Sequence, residues 1–216
     1  MKQNLKPLLI LGTRTLAIEF ADVISEIKEF QLSGFVENMD KSRCNEKIED
    51  LPVYWIDDVK SFVDTHWAIC CLATTKRNLF TQQAENLNLR FARVVHPLAR
   101  LSSKSTISEG TIVNPGVIVA SHTEIGKHVI LNRGVLVGHH THIGDFVTIQ
   151  PGANIAGACS IGPSTYIGMG AVIIDHLKVG SHSVIAAGAV VIDDVPDNVM
   201  VAGVPARIIK HNIDGL

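Results

Sequence analysis

The chain has 216 residues, 46% hydrophobic and 19% charged, and its 19 Lys and Arg against 21 Asp and Glu leave a formal net charge of −2. That length accommodates one large or two small domains, and a near-neutral balance without a run of Lys or Arg excludes a basic surface for a nucleic-acid backbone. No apolar run approaches the span of a bilayer, and Met1-Lys2-Gln3-Asn4 reads as the lead into a strand rather than a cleavable signal, so a cytoplasmic protein is expected.

Residues 1–96 read as one α/β domain and residues 97–216 as a second. Pro7 to Gly12 is a short apolar run ending in glycine, and Thr15 to Lys28 places Leu16, Phe20, Val23, Ile24 and Ile27 at helical spacing, which predicts a strand followed by a helix. Further strands are expected at Leu32 to Val36, Val53 to Ile56, Trp67 to Leu72 and Phe91 to Val95, with a helix over Arg77 to Asn88. The alternation argues for a small parallel sheet of Rossmann-like type. Cys44, Cys70, Cys71 and Cys159 lack metal-ligand spacing and read as reduced thiols, the adjacent pair lying in an apolar strand.

In such a sheet the loops after the strands face the crevice where nucleotides bind. The loop Gly12-Thr13-Arg14-Thr15 has a single glycine, so it lacks the G-x-G-x-x-G fingerprint and no dinucleotide cofactor is expected. The helix start near Thr15 can still offer backbone N–H groups to a phosphate, and Arg14 can add a bidentate contact. Arg14 can equally be a solvated side chain and Gly12 a simple turn residue.

From Ile107 to Val191 every sixth residue is Ile, Leu or Val, without insertion or deletion. A fixed short period is the signature of a solenoid. Glycine follows the aliphatic residue at Ile125, Ile143, Ile161 and Val179, so three hexads make one turn of eighteen residues. Each turn presents three flat faces with an inward aliphatic side chain, and stacked turns bury a core that no single repeat could bury. Glycine after the aliphatic position is expected where the chain needs positive φ or close approach to its neighbour.

The sharpest polar constellation lies in the stretch from Asn132 to His142, with three histidines in four residues at His139, His140 and His142. His139 stands two residues after Val137 and is expected at or near a corner of the coil; His140 and His142 are expected as surface corner residues. Histidine titrates near working pH, as a general base for acyl transfer must. One turn further along is Gly157, whose backbone N–H can serve the oxyanion of that reaction. The same step aligns His122, His140 and His176 at one corner with Ala158 intervening, a column that invites a zinc reading, though three ligands on one ion would be strained.

These hexads resemble the hexapeptide-repeat acyltransferases, whose repeats wind a left-handed parallel β-helix, and the first half is similar to the nucleotide-sugar-binding domain of the bacillosamine, perosamine and sialic acid acetyltransferases. The resemblance implies a homotrimer with active sites between subunits and acetyl-CoA as the acyl donor. It implies His139 as general base, Gly157 as oxyanion donor and Asn132 as a further site residue, with Thr148 where some relatives carry a second histidine near the thioester. The family's acidic residue after the base is His140 here, and its aspartate pair after the second strand is Glu37-Asn38, which would contact the nucleotide. Gly203-Val204-Pro205-Ala206-Arg207 resembles the closing motif beside coenzyme A, with Met169, Ala187 and Gly188 walling the pantetheine arm and Arg207 or Lys210 meeting a phosphate.

The substrate-binding expectation therefore rests on Gly12, Thr13, Arg14, Glu37 and Asn38, and the reaction implied is N-acetylation, less readily O-acetylation, of a nucleotide-linked amino sugar for a bacterial surface glycan. No metal and no nucleic-acid or membrane partner is expected. Two alternatives stay open: an inactive nucleotide-sugar-binding scaffold, and a metal-dependent hydratase like the hexapeptide-repeat carbonic anhydrases.

Overall fold

The computed structural model describes residues 5–216, so the expected lead-in at Met1-Lys2-Gln3-Asn4 lies outside the described residues. Two compact units result: one runs to Ala73 and continues over Arg77–Pro97, and the other comprises Thr74–Lys76 and Leu98–Leu216. Among the described residues no helix is long and apolar enough to cross a membrane.

The first unit is built on β1 (Lys6–Leu11), α1 (Thr15–Ser25), β2 (Phe30–Glu37), β3 (Lys47–Ile48), β4 (Leu51–Trp55), β5 (Trp67–Cys70), α2 (Asn78–Asn86) and β6 (Arg90–Phe91). The sheet order is β3-β4-β2-β1-β5-β6, parallel except for the β3/β4 hairpin, which the sequence did not announce. Leu9 and Leu11 of β1 join Val59, Phe80 and Ala84 in one core cluster. Leu8 and Ile10 point to the opposite face by the strand's two-residue period, and α1 buries Ala17, Phe20, Ala21 and Ile24. The expected helix to Lys28 stops at Ser25, where Glu26 caps it with an N–H to the Ile24 carbonyl. The expected strand Phe91 to Val95 divides into Arg90–Phe91 and Val94–Val95. Arg77, expected as the first residue of a helix, stands one residue before α2 and is 1% exposed, and burial lowers its pKa to about 10.

The second unit is the expected left-handed parallel β-helix, made of two-residue strands paired parallel at a spacing of eighteen. Its first face stacks Val113, Leu131, Ile149, Ile167 and Ile185; the second carries Val119, Val137, Ile155 and Ile173; the third carries Ile125, Ile143, Ile161 and Val179, all inward and all buried. Each such aliphatic side chain contributes about 1.5–3 kcal/mol by leaving water. The outward positions distinguish the faces. Ile112, Ile130, Thr148 and Val184 on the first are buried, Ile118, Leu136 and Val172 on the second are 36–41% exposed, and Glu124, His142 and Lys178 make the third polar.

Positive φ does not fall on the glycine that follows the aliphatic residue. It falls two residues later, at every third position after the aliphatic one from Gly110 to Gly188. This turns the three corners into chemically distinct columns. Gly116, Gly134, Gly152, Gly170 and Gly188 line the first corner, His122, His140, Ala158 and His176 the second, and His128, Phe146, Ser164 and His182 stand on the third. The glycines immediately after the aliphatic residue serve close approach instead: a β-carbon on Gly144 would stand 2.7 Å from the Pro163 nitrogen, and one on Gly162 would stand 2.6 Å from the Ser181 nitrogen.

Candidate active site

His139 sits at the second corner and lies over Gly157 of the next turn, as the eighteen-residue step predicts. A β-carbon on Gly157 would meet the ring atoms Cε1 and Nε2 at 2.8 Å and Nδ1 at 3.1 Å. The Gly157 carbonyl accepts the His176 N–H at 3.0 Å, whereas its own N–H has no acceptor among the described residues and remains able to donate to a developing oxyanion. Thr141 braces this corner from inside: buried, it donates to the Ala156 carbonyl at 3.1 Å and accepts the Cys159 N–H at 3.3 Å. Cys159 takes the same structural place one turn on, its Sγ donating to the Ile174 carbonyl at 3.2 Å while burial pushes the thiol up.

Of the other two histidines, His140 stands where it was expected and His142 does not. His140 is at the corner, with its Nδ1 3.1 Å from Nδ1 of His139 and its ring stacked on His122 at 4.7 Å and 16°. His142 is a strand residue on the third face, 3.5 Å from Glu124, rather than a corner residue. His176 stands beyond Ala158 and pairs with Asp175 at 3.6 Å. Among the described residues no three His, Cys, Asp or Glu side chains gather as a metal group.

The remaining expected residues occupy other places on the coil. Asn132 follows the first face, where it accepts from Asn114 Nδ2 at 3.3 Å and from the Arg133 N–H at 2.9 Å. It is a rung of an amide ladder at the glycine corner, so one chain does not bring it to His139. Thr148 is fully buried on the first face. Gly168 to Gly170 and Ala187-Gly188 do form a small-residue wall along the glycine corner, from which Met169 projects 59% exposed. Pro205 lies between the closing strands Val199–Gly203 and Ala206–His211. Arg207 is exposed, 3.6 Å from Asp193, and lines a hollow of about 220 Å³ with Asp193, Val191 and Ile208.

In the first unit the loop after β1 and the end of β2 form one hydrogen-bonded assembly. Thr13 Oγ1 donates to Glu37 Oε2, and Glu37 Oε1 accepts the N–H groups of Asn38 at 3.0 Å, Met39 at 2.8 Å and Asp40 at 3.4 Å. Burial raises the Glu37 pKa, but the bonds from Thr13 and the three backbone groups outweigh it and hold the carboxyl below its usual value. Glu37 thus spends both oxygens on the chain itself, while Asn38 donates to Gln83 at 2.7 Å. Arg43, which the sequence reading missed, donates Nη2 to the Thr13 carbonyl at 2.9 Å; no local motif marks it, because the contact spans thirty residues. Gly12 has φ +123°, and a β-carbon there would press on Leu72 at 3.1 Å. Arg14 is exposed at the start of α1, whose first turn carries neither a side-chain cap nor an acidic residue, the condition for an anion to sit there.

Residues 140–175 and 158–193 match the family model of the bacterial transferase hexapeptide (six repeats). No curated protein matches the chain. Among solved structures, the acetyltransferase domain of PglB from Neisseria gonorrhoeae, in complex with acetyl coenzyme A, is 25% identical, covers 95% of this chain and 100% of its own, and superposes with a TM-score of 0.87. WeeI from Acinetobacter baumannii is 26% identical over 94% of this chain and 100% of its own, with a TM-score of 0.85. A variant of perosamine N-acetyltransferase from Caulobacter crescentus, in complex with CoA and GDP-perosamine, is 24% identical over 94% and 97%, with a TM-score of 0.87. Repeat and fold together define a hexapeptide-repeat β-helix protein with a Rossmann-like N-terminal unit. The likeness to these three extends over both units, not the repeats alone.

Proposed function

We propose that this protein is an acetyl-CoA-dependent acetyltransferase that N-acetylates a nucleotide-linked amino sugar, working in the cytoplasm as a homotrimer. The observation that carries the reading is the seat of His139 over Gly157 at a corner of the coil, a base beside a backbone donor. The similar structures from Neisseria gonorrhoeae and Caulobacter crescentus, solved with acetyl coenzyme A and with CoA and GDP-perosamine, support the donor and the substrate class.

In the reaction the sugar amine attacks the thioester carbonyl carbon and forms the C–N bond while His139 Nε2 takes the amine proton. The Gly157 N–H donates to the oxyanion, the C–S bond breaks, and the proton on His139 passes to the departing thiolate, leaving the amide and coenzyme A thiol. Thr13, Arg14 and the start of α1 would hold the nucleotide's phosphate, with Glu37 shaping that loop and Asn38 beside it. Met169, Ala187, Gly188, Pro205 and Arg207 would hold coenzyme A.

The coil's geometry supports an assembly of copies, which the homotrimer would supply. Met169, Ala187 and Gly188 lie on the glycine corner and His139 on the histidine corner, so one chain alone does not bring them to the base. A second copy laid against the apolar second face would bring one copy's glycine corner to the other's histidine corner and bury Ile118, Leu136 and Val172.

The test is to mix the protein with acetyl-CoA and a panel of UDP-, GDP-, dTDP- and CMP-linked amino sugars, following thiol release and product mass. One sugar gaining an acetyl mass, with turnover abolished by His139→Ala and CoA binding retained, establishes the activity. Unchanged turnover in His139→Ala removes the mechanism.

A further inference from the structure

The acyltransferase reading, taken as the premise, leaves His139 without the carboxylate that would orient a catalytic imidazole. An imidazole accepts a proton at Nε2 only if its own hydrogen is on Nδ1, and that tautomer must be selected by an acceptor facing Nδ1. The only side chain bonded to Nδ1 of His139 among the described residues is His140, whose Nδ1 stands 3.1 Å away. Two ring nitrogens at that distance form a hydrogen bond only when one carries the hydrogen and the other a lone pair.

We infer that His140 is the positioning residue of this site: its neutral ring, protonated on Nε2, accepts from Nδ1–H of His139 and so presents the Nε2 lone pair of His139 to the substrate. When His139 takes the substrate proton, its Nδ1–H continues to donate to His140, and no charge moves onto the second ring.

Three further observations fix His140 in that task. Its backbone is held at φ +55° by the corner, with its N–H on the Ser121 carbonyl at 3.0 Å. Its face is covered by His122 of the preceding turn, near parallel at 4.7 Å, so the ring cannot swing away without losing the stack. The ring of His139 meets it edge-on, at 84°, and is itself seated on Gly157. Between them these contacts set the planes of both rings. The arrangement differs from a carboxylate in one respect: a neutral imidazole orients the base without adding negative charge beside it.

The chain contains the control for the test. At the third corner Phe146 occupies the same position at φ +59° and stacks on His128 at 4.9 Å and 9°, so His140→Phe keeps both backbone and stack while removing the acceptor. His140→Asn restores an acceptor oxygen and is at ease in the left-handed region. With the acceptor sugar identified by the panel, His140→Phe should lower kcat 10- to 100-fold with the KM for acetyl-CoA changed less than twofold, and His140→Asn should retain at least a third of wild-type kcat. Equal kcat in His140→Phe and wild type, or an Asn variant as slow as the Phe variant, overturns the inference. Nitrogen-15 NMR of histidine-labelled wild-type protein reads the same point without turnover. His139 as the Nδ1–H tautomer and His140 as the Nε2–H tautomer are expected, and His139 as the Nε2–H tautomer overturns it. If the wild type acetylates none of the sugars, the acyltransferase reading fails, while the tautomers still decide whether His140 orients His139.

Discussion

The imidazole of His139 rests on the α-carbon of Gly157, eighteen residues further along the chain, and a β-carbon there would approach Cε1 and Nε2 to 2.8 Å. Gly157 lies outside the left-handed region, so alanine is compatible with its backbone, and the atoms nearest the added methyl are those of the ring. Gly157→Ala should therefore lower kcat/KM about 100-fold, the scale on which a catalytic group displaced by about 1 Å loses rate. Thiol release checks the rate, and a thermal midpoint close to wild type checks that the coil persists.

Two kinds of glycine in the coil should fail differently. At Gly152, with φ +71° and open space around it, alanine costs about 1–2 kcal/mol of backbone strain. At Gly144 the added β-carbon would stand 2.7 Å from the Pro163 nitrogen, where only backbone can yield, and alanine costs about 3 kcal/mol. Denaturant unfolding of the two variants side by side measures the difference, and equal losses would mean that the coil spacing yields freely.

Glu37 should tie stability to pH. Its folded pKa is depressed, so its contribution is complete above the unfolded value near 4.5 and is lost as pH falls through the lower folded value. Glu37→Gln weakens the bonds from Thr13 and the three backbone N–H groups and should cost about 1–3 kcal/mol at pH 7. The gap to wild type should narrow as pH is taken below 4, as followed by thermal unfolding across that range.

Leu136 is 39% exposed on the apolar second face, so a charge there is tolerated by a lone coil but not by an interface. Leu136→Lys should leave the circular dichroism unchanged, reduce the sedimenting species to a monomer and abolish turnover with His139 intact. A trimeric and active variant would remove the composite site.

Much of the fold was legible in the chain because its determinants are local and repeated. The aliphatic frame from Ile107 to Val191 needs only the next turn to be buried, and the step of eighteen correctly placed Gly157 beside His139 and His122 beside His140. In the first unit the strands and helices followed their periodicity, while the β3/β4 hairpin, the Ser25 stop of α1 and the division at Ala92-Arg93 did not, because turn and cap contacts decide them. The site was legible less evenly. The sequence sets Glu37 at the end of its strand, but its engagement with Thr13 and three backbone groups rests on how that loop closes, and Arg43 reaches Thr13 through a contact that leaves no motif.

By itself the sequence determined the coil, its three faces and the pairing of residues one turn apart, since a strict period leaves a parallel stack no other register that buries every sixth side chain. Only the tertiary structure decided which corner each residue occupies and which way it turns. The left-handed residue falls two positions after the expected glycine, His139 meets the ring of His140 rather than a carboxylate, and Asn132 and Met169 are carried to a different corner from the base. The physical reason is that periodicity fixes distances along the stack, whereas the direction of a side chain at a corner depends on backbone dihedrals and on neighbours that only the folded coil supplies.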